Sequence, residues 1–193
     1  MNADLVRLVT VSATYGAGGA VVAPALAERL GVPFVQRATN SAGGVGAAGP
    51  TQSAPPSRPQ DEDLRRYCEQ DIRRLADADA GVILGRGAAV MLGKGRGFHV
   101  RLDGPPQARV VQGAAIEGIS VDQARRHLEA ADRARDTYVR RLYRADPADA
   151  RHYHLVIDST ALPLDAVTEL ILRALAHSPG QLGAERYSAA TGQ

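Results

Sequence analysis

Apolar residues in this chain recur in two alternating periods, and the alternation lays out a fold before any single residue is considered. Leu5 to Ser12 is β-branched and apolar in the manner of a strand, and Val21 to Leu30 sets Ala23, Leu26, Ala27 and Leu30 on one helical face. Gly31-Val32-Pro33-Phe34-Val35 opens a short second strand. From Asp61 to about Asp79, the stripe Leu64, Tyr67, Cys68, Ile72 and Leu75 predicts a helix, with Glu62 and Asp63 suited to its first turn. Gly81 to Leu84 reads as a central strand that ends at the small-residue turn Gly85-Arg86-Gly87 and leads into a helix. Phe98 to Leu102 then makes a fourth strand, Pro105 starts a helix at its first turn, and Ser120 caps a longer one. Leu155 to Ile157 is a fifth strand and Leu164 to Ala176 a final helix.

Strands alternating with helices imply right-handed βαβ crossovers, so the expected class is α/β: a five-stranded parallel sheet with helices on both faces. Residues 1–176 are expected to form one domain, with a flexible tail over 177–193. Between Ala38 and Gln60 the chain is mostly Gly, Ala, Pro, Ser and Thr, with Val45 the only large aliphatic residue. Such a segment buries too little to offset its ordering entropy, and 38–60 is predicted to be a mobile insert. Ligands of parallel sheets bind beyond the carboxyl ends of the strands. That rule selects the loop Gly16 to Gly19, the turn Gly85 to Gly87, Asp103, and Asp158-Ser159-Thr160, which should meet at one cleft.

Composition narrows the chemistry. Lys plus Arg is 23 against 21 for Asp plus Glu, a net charge of +2 that gives no general argument for nucleic acid or an acidic membrane. Lys94 is the only lysine, so a phosphate site here must rely on arginine forks. One cysteine, Cys68, excludes an internal disulfide and reads as an inert buried thiol. With no apolar span and no leader pattern, the chain is expected to be cytoplasmic.

Val9-Thr10-Val11-Ser12-Ala13-Thr14-Tyr15-Gly16-Ala17-Gly18-Gly19 reads as a strand entering a glycine-rich turn and then a helix, the layout of a phosphate-binding loop. A complete loop, G-x-x-x-x-G-K-S/T, wraps phosphate oxygens with backbone N–H groups, reaches the β- and γ-phosphates with a lysine, and holds magnesium with a hydroxyl. Here Gly19 stands at the lysine position, and Ala20 and Val21 offer neither charge nor hydroxyl. What survives is the backbone cradle and the positive end of a helix. An unliganded glycine turn has the same sequence signature.

Taken in order, V-T-V-S-x-x-Y-G-A-G-G, L-G-V-P-F, V-I-L-G-R-G-A, E-G-I-S, D-R-A-R and H-L-V-I-D-S-T resemble the cytidylate kinase-like branch of the P-loop nucleoside monophosphate kinases, over roughly Val9 to Leu175 with Ala38 to Gln60 outside it. The resemblance implies a P-loop NTPase-like three-layer α/β/α fold, a phosphate-donor site formed by Tyr15, Gly16, Ala17, Gly18 and Gly19, and a mobile arginine-bearing lid over 120–150. It implies contact between Gly85 and Arg86 and a nucleoside monophosphate. Asp132 and Arg135, with Arg133 beside them, are implied to grip substrate and the transferring phosphoryl. Asp158 joins the site, and magnesium would enter with ATP. The chain departs from the pattern at Ala13, Thr14, Ala20 and Gln36, where the family commonly has arginine, glutamate, arginine and aspartate.

Helical spacing singles out Arg135 independently. Val121, Ala124, Leu128, Ala131, Tyr138 and Leu142 form an i, i+3, i+4, i+7 stripe, and Arg135 falls on it. A guanidinium facing inward requires an anion, whereas one at a helix end can snorkel to water. His152 and His154 share one face of a strand-like stretch and suit a surface pair better than a metal site, since nothing nearby completes a ligand set. Asp103 and Asp158 end strands where a magnesium-organising carboxylate would sit, although such residues also make turns. Arg140, Arg141 and Arg144 lack the basic surroundings and stacking aromatics of a nucleic-acid patch. Two readings stand: phosphoryl transfer from ATP to a nucleoside monophosphate or similar small acceptor, or a catalytically impaired relative that binds a nucleotide or phosphate, or a protein partner.

Overall fold

The computed structural model describes residues 7–36, 61–85 and 87–178. Five strands form one parallel sheet: β1 (Arg7–Ala13), β2 (Phe34–Val35), β3 (Ala80–Leu84), β4 (Phe98–Asp103) and β5 (Leu155–Asp158), in the order β2-β3-β1-β4-β5. The helices are α1 (Gly19–Leu30), α2 (Asp61–Asp77), α3 (Ala88–Leu92), α4 (Pro106–Glu117), α5 (Val121–Tyr143) and α6 (Leu164–His177), with a 3-10 turn at Ala150–His152. The expected α/β class and five-stranded parallel sheet are therefore found. The expected insert 38–60 and nearly all of the expected tail, 179–193, lie outside the described residues, as does Arg86; the side chains expected to line α2 at Leu64, Tyr67 and Cys68 are not described either. No helix among the described residues is long and apolar enough to cross a membrane.

The two-residue period of β1 divides its side chains between faces. Val9 and Val11 join Val22, Ala23 and Leu26 of α1 and Val167, Ile171 and Leu175 of α6 in the main core. Leu8 lies on the other face with Ile72, Leu75, Ile83 and Ala88, under α2 and α3. Thr10 and Ser12 share Leu8's face, so a polar stripe runs beneath the helices there. A smaller cluster, Val110, Ala114 and Ala124, joins α4 to α5.

Element boundaries differ from the sequence expectation where backbone geometry decides them. Helix α1 begins two residues early, because Gly18 takes a left-handed conformation (φ 76) and serves as its N-cap. Pro106 rather than Pro105 is the first helical residue of α4, consistent with proline's fixed φ suiting the N1 position. Ser120 caps α5 as expected, in a reciprocal capping box with Gln123. The stripe on α5 is displaced: Val121 is 45% exposed, and Val139, which the spacing did not select, is buried. Helix α6 extends through His177, whose Nδ1 lies 2.8 Å from the Arg173 carbonyl, one residue beyond its expected end.

Within the polar stripe, His99 is fully buried on β4. Its Nε2 lies 2.8 Å from the Gly93 carbonyl and its Nδ1 lies 2.8 Å from Thr10 Oγ1, so the neutral Nε2–H tautomer satisfies both: Nε2 donates to Gly93 and Thr10 donates to Nδ1. His154 is half-buried rather than a free surface group; its Nδ1 accepts the His99 backbone N–H at 2.9 Å and its ring stacks on Phe98. Burial, with the charges of His154 and Lys94 nearby, pushes His99 down from 6.5 to about 4. The native state thus favours the uncharged ring, and that contribution is complete above pH 6.5 and is lost as pH falls towards 4. Thermal unfolding between pH 7.5 and 4 should show a loss of stability worth about 3 kcal/mol from this group, and a His99→Leu/Thr10→Val variant should show a flatter profile. A wild-type profile flat down to pH 4.5 would contradict the buried neutral ring.

Candidate functional site at the carboxyl end of the sheet

The glycine loop, Ala13 to Gly19, leaves β1 and enters α1, and it is held from three sides. Arg109 on α4 is 6% exposed. Its guanidinium donates through Nη1 to the Tyr15 carbonyl at 3.0 Å and to Asp132 Oδ2 at 2.7 Å, and through Nε to the Gly104 carbonyl at 2.9 Å. Asp132, on α5, accepts the Tyr15 N–H on its other oxygen at 2.9 Å. Gln112 donates to the Gly16 carbonyl, and Ser159 donates to the Ala17 carbonyl at 2.7 Å. Gly16 (φ 73) approaches α4 so closely that a Cβ there would stand 1.9 Å from the Arg109 carbonyl oxygen. With its carbonyls turned outward onto these donors, the loop leaves N–H groups over: none of Gly16, Gly18, Gly19 and Ala20 donates its N–H to an acceptor among the described residues. Helix α1 carries no acidic residue in its first turn, so its positive end is also unneutralised.

Tyr15, expected among the phosphate-binding residues, has both backbone groups engaged. Its hydroxyl donates to Glu117 at 3.0 Å and its ring meets His127 edge-on, while burial, and then the Glu117 carboxylate, raise its pKa well above the usual phenol range. Asp103 and Asp158 stand opposite one another at the ends of β4 and β5. Asp103 accepts from Arg101, from Thr14 Oγ1 at 2.9 Å and from the Gly104 N–H; burial raises its pKa, but these donors outweigh it and hold the carboxyl below the usual range. Asp158 is exposed and accepts the N–H and hydroxyl of Thr160, making a turn. The hydroxyl position that would hold magnesium is Ala20. Asp103 is engaged on both oxygens, Asp158 on Oδ1 alone, and no group of three or more His, Cys, Asp or Glu side chains that could hold a metal exists among the described residues.

On the face bearing Thr10 and Ser12, a cavity of about 420 Å³ lies between the ends of β1 and β3, α3 and α5; it reaches Ser12, the residue before the loop, and is lined by none of the loop's own residues. Val11, Leu84, Ala88, Ala134 and Val139 give it apolar walls. Arg135 lines it too, as its place on the α5 stripe predicts, and donates to Ser12 Oγ at 3.1 Å. Tyr153 reaches the same hydroxyl at 3.3 Å. Arg135 makes no ion pair among the described residues, and burial, followed by repulsion from Arg101, lowers its pKa. Arg101, by contrast, is buried on β4 and neutralised by Asp103, with a further hydrogen bond to the Pro147 carbonyl. Gly85 lines the cavity at the end of β3, whereas Arg133 is exposed on α5.

Gly85 and Arg135 line one cavity, Asp132 is tied to the loop through the Tyr15 N–H, and Asp158 makes its own turn with Thr160 at the end of β5. Sequence reasoning missed Arg101 and Arg109. Arg101 carried a readable signal: it interrupts the apolar run Phe98 to Leu102 of a central strand, where a charge requires a partner. Arg109 carried a fainter one, since it adjoins Val110 and precedes Gly113 on the buried side of α4. Removing one partner of a buried pair leaves the other uncompensated, so Arg109→Ala should cost about 3 to 5 kcal/mol. The Arg109→Ala/Asp132→Ala double variant should cost less than the sum of the single changes, as measured by denaturant unfolding. Additive losses would show that the pair is not coupled.

Comparison with known proteins supports this architecture. The chain aligns with an uncharacterized protein from Eubacterium ventriosum at a TM-score of 0.70 and 19% identity, covering 89% of this chain and 99% of that one. A gluconokinase from Sinorhizobium meliloti aligns at a TM-score of 0.55 and 18% identity, covering 97% of this chain and 99% of that one. At these identities the likeness is one of fold. No curated protein matches the sequence. The family model described as "Cytidylate kinase-like family" matches residues 40–161. That span includes most of the tract 38–60, placed outside the resemblance on sequence grounds, and it begins after the glycine loop. It covers more than half of the 193 residues, and with the parallel sheet and its kinase-like neighbours it shows that this chain belongs to the cytidylate kinase-like family.

Proposed function

We propose that this chain is a kinase-like nucleotide-binding protein. Its glycine loop takes phosphate oxygens on backbone N–H groups, and Arg135 supplies the cation that the loop lacks. The observation that carries this reading is Arg135 itself: a guanidinium lining a largely apolar cavity that reaches Ser12, the residue before the loop, bonded to a neutral hydroxyl and without an ion pair among the described residues. A desolvated cation in that position is stabilised by an incoming anion. Gly85, at the cavity wall, and Arg86 would lie against the acceptor; Asp132, already committed to Tyr15 and Arg109, positions the loop rather than touching substrate.

Phosphoryl transfer from ATP to a nucleoside monophosphate or similar small acceptor depends on placing charge around the moving group. Losing one such donor typically slows turnover by about a hundred- to a thousandfold. The lysine and the magnesium-holding hydroxyl are both absent, so transfer is strongly impaired, and binding falls to the loop's N–H groups and Arg135.

Titration calorimetry with ATP and CMP, with and without magnesium, tests the reading. The wild-type protein should bind ATP. Arg135→Ala should weaken phosphate binding by about tenfold or more while leaving the melting temperature nearly unchanged. Silence of the wild-type protein towards both nucleotides, or a large loss of melting temperature in Arg135→Ala with unaltered binding, would overturn it.

A further inference from the structure

We propose that Ala13 determines what position 19 of the glycine loop can hold, and with it the loop's ligand chemistry; the ligand part of this inference rests on the phosphate-binding reading above. With the lysine of G-x-x-x-x-G-K placed at 19, the first glycine of the motif falls at 13. This chain has the two sizes exchanged, alanine at 13 and glycine at 19. In the structure they touch: a Cβ built on Gly19 would stand 2.5 Å from the Ala13 Cβ, closer than carbon atoms approach one another. The other neighbours are permissive. Leu84 Cδ1, at 3.1 Å, is the free end of a flexible side chain, and the Ala13 Cα, at 3.9 Å, is at ordinary contact distance.

Backbone conformation does not require glycine at 19. Gly16 and Gly18 have φ of 73 and 76 and need glycine on that ground alone, whereas Gly19 opens α1 outside the left-handed region. One methyl group therefore separates this loop from one that accepts a side chain. A lysine at 19 would stand at the positive end of α1, beside the unclaimed N–H groups of Gly16 and Gly18. In the chain as it is, the methyl of Ala13 excludes that stem, and the loop can offer an anion only neutral donors. The missing lysine and the missing first glycine are thus one coupled change.

The test uses Gly19→Ala, Ala13→Gly and their combination for the steric claim, and Gly19→Lys with and without Ala13→Gly for the ligand claim. Thermal unfolding should show Gly19→Ala lowering the melting temperature by about 5 °C in the wild-type background. In the Ala13→Gly background the same change should be neutral or stabilising, since alanine suits a helix better than glycine. Calorimetry with tripolyphosphate should show the Ala13→Gly/Gly19→Lys variant binding about tenfold or more tighter than wild type, with no such gain for Gly19→Lys alone. Equal losses from Gly19→Ala in both backgrounds would overturn the role of Ala13. Stability coupling together with no tripolyphosphate binding by wild type or the double variant would uphold the steric role and overturn the phosphate reading of the loop.

Discussion

The guanidinium of Arg109 holds the site together. It is nearly buried, and it fastens the Tyr15 carbonyl of the glycine loop, the Gly104 carbonyl after β4, and the Asp132 carboxylate of α5. Planar, forked donor geometry makes this possible; an ammonium group at the same place could not span the three acceptors with fixed angles. Asp132 then closes the circuit by accepting the Tyr15 N–H. Three segments distant in sequence are fixed to one another by charge-assisted bonds in a water-poor setting, where such bonds are strong and their loss is costly.

That clasp has consequences for chemistry. The clasp takes the Tyr15 carbonyl and N–H while Gln112 and Ser159 take the Gly16 and Ala17 carbonyls, and the donors that remain are those of Gly16, Gly18, Gly19 and Ala20. It also places a carboxylate at the loop, so an anion entering there meets N–H donors on one side and Asp132 on the other. The balancing cations are arginines in different electrical states. Arg101 is neutralised by Asp103 and serves the scaffold, while Arg135 has a neutral hydroxyl as its partner and faces a cavity. One arginine is neutralised within the scaffold and the other lines a cavity without an ion pair among the described residues, a division that composition alone does not reveal.

Much of the fold was legible from periodicity, because β1 and β3 are largely apolar and α1 and α6 each carry a buried stripe. Boundaries slipped where a glycine's left-handed backbone, rather than side-chain pattern, set the start, as at Gly18 before α1. Arg135 was legible because it falls on the α5 stripe, although that stripe runs through Val139 and leaves Val121 in solvent. The clasp was not legible. Arg109 was not singled out and Asp132 was read, through the family resemblance, as a substrate contact; their link to Tyr15 joins residues whose proximity only the tertiary fold creates. The contact between Ala13 and Gly19 was hidden for a related reason: two departures from a motif look independent until the distance between them is known.

The central claim is that phosphate is held by the loop's unclaimed backbone donors with help from Arg135 and without a lysine. An amide NMR titration of the labelled protein with ATP reads those donors directly. The account predicts downfield shifts, saturating together, at the amides of Gly16, Gly18, Gly19 and Ala20, with the Tyr15 amide still bonded to Asp132. Shifts confined to other parts of the molecule, with these four amides unmoved at saturation, would contradict it.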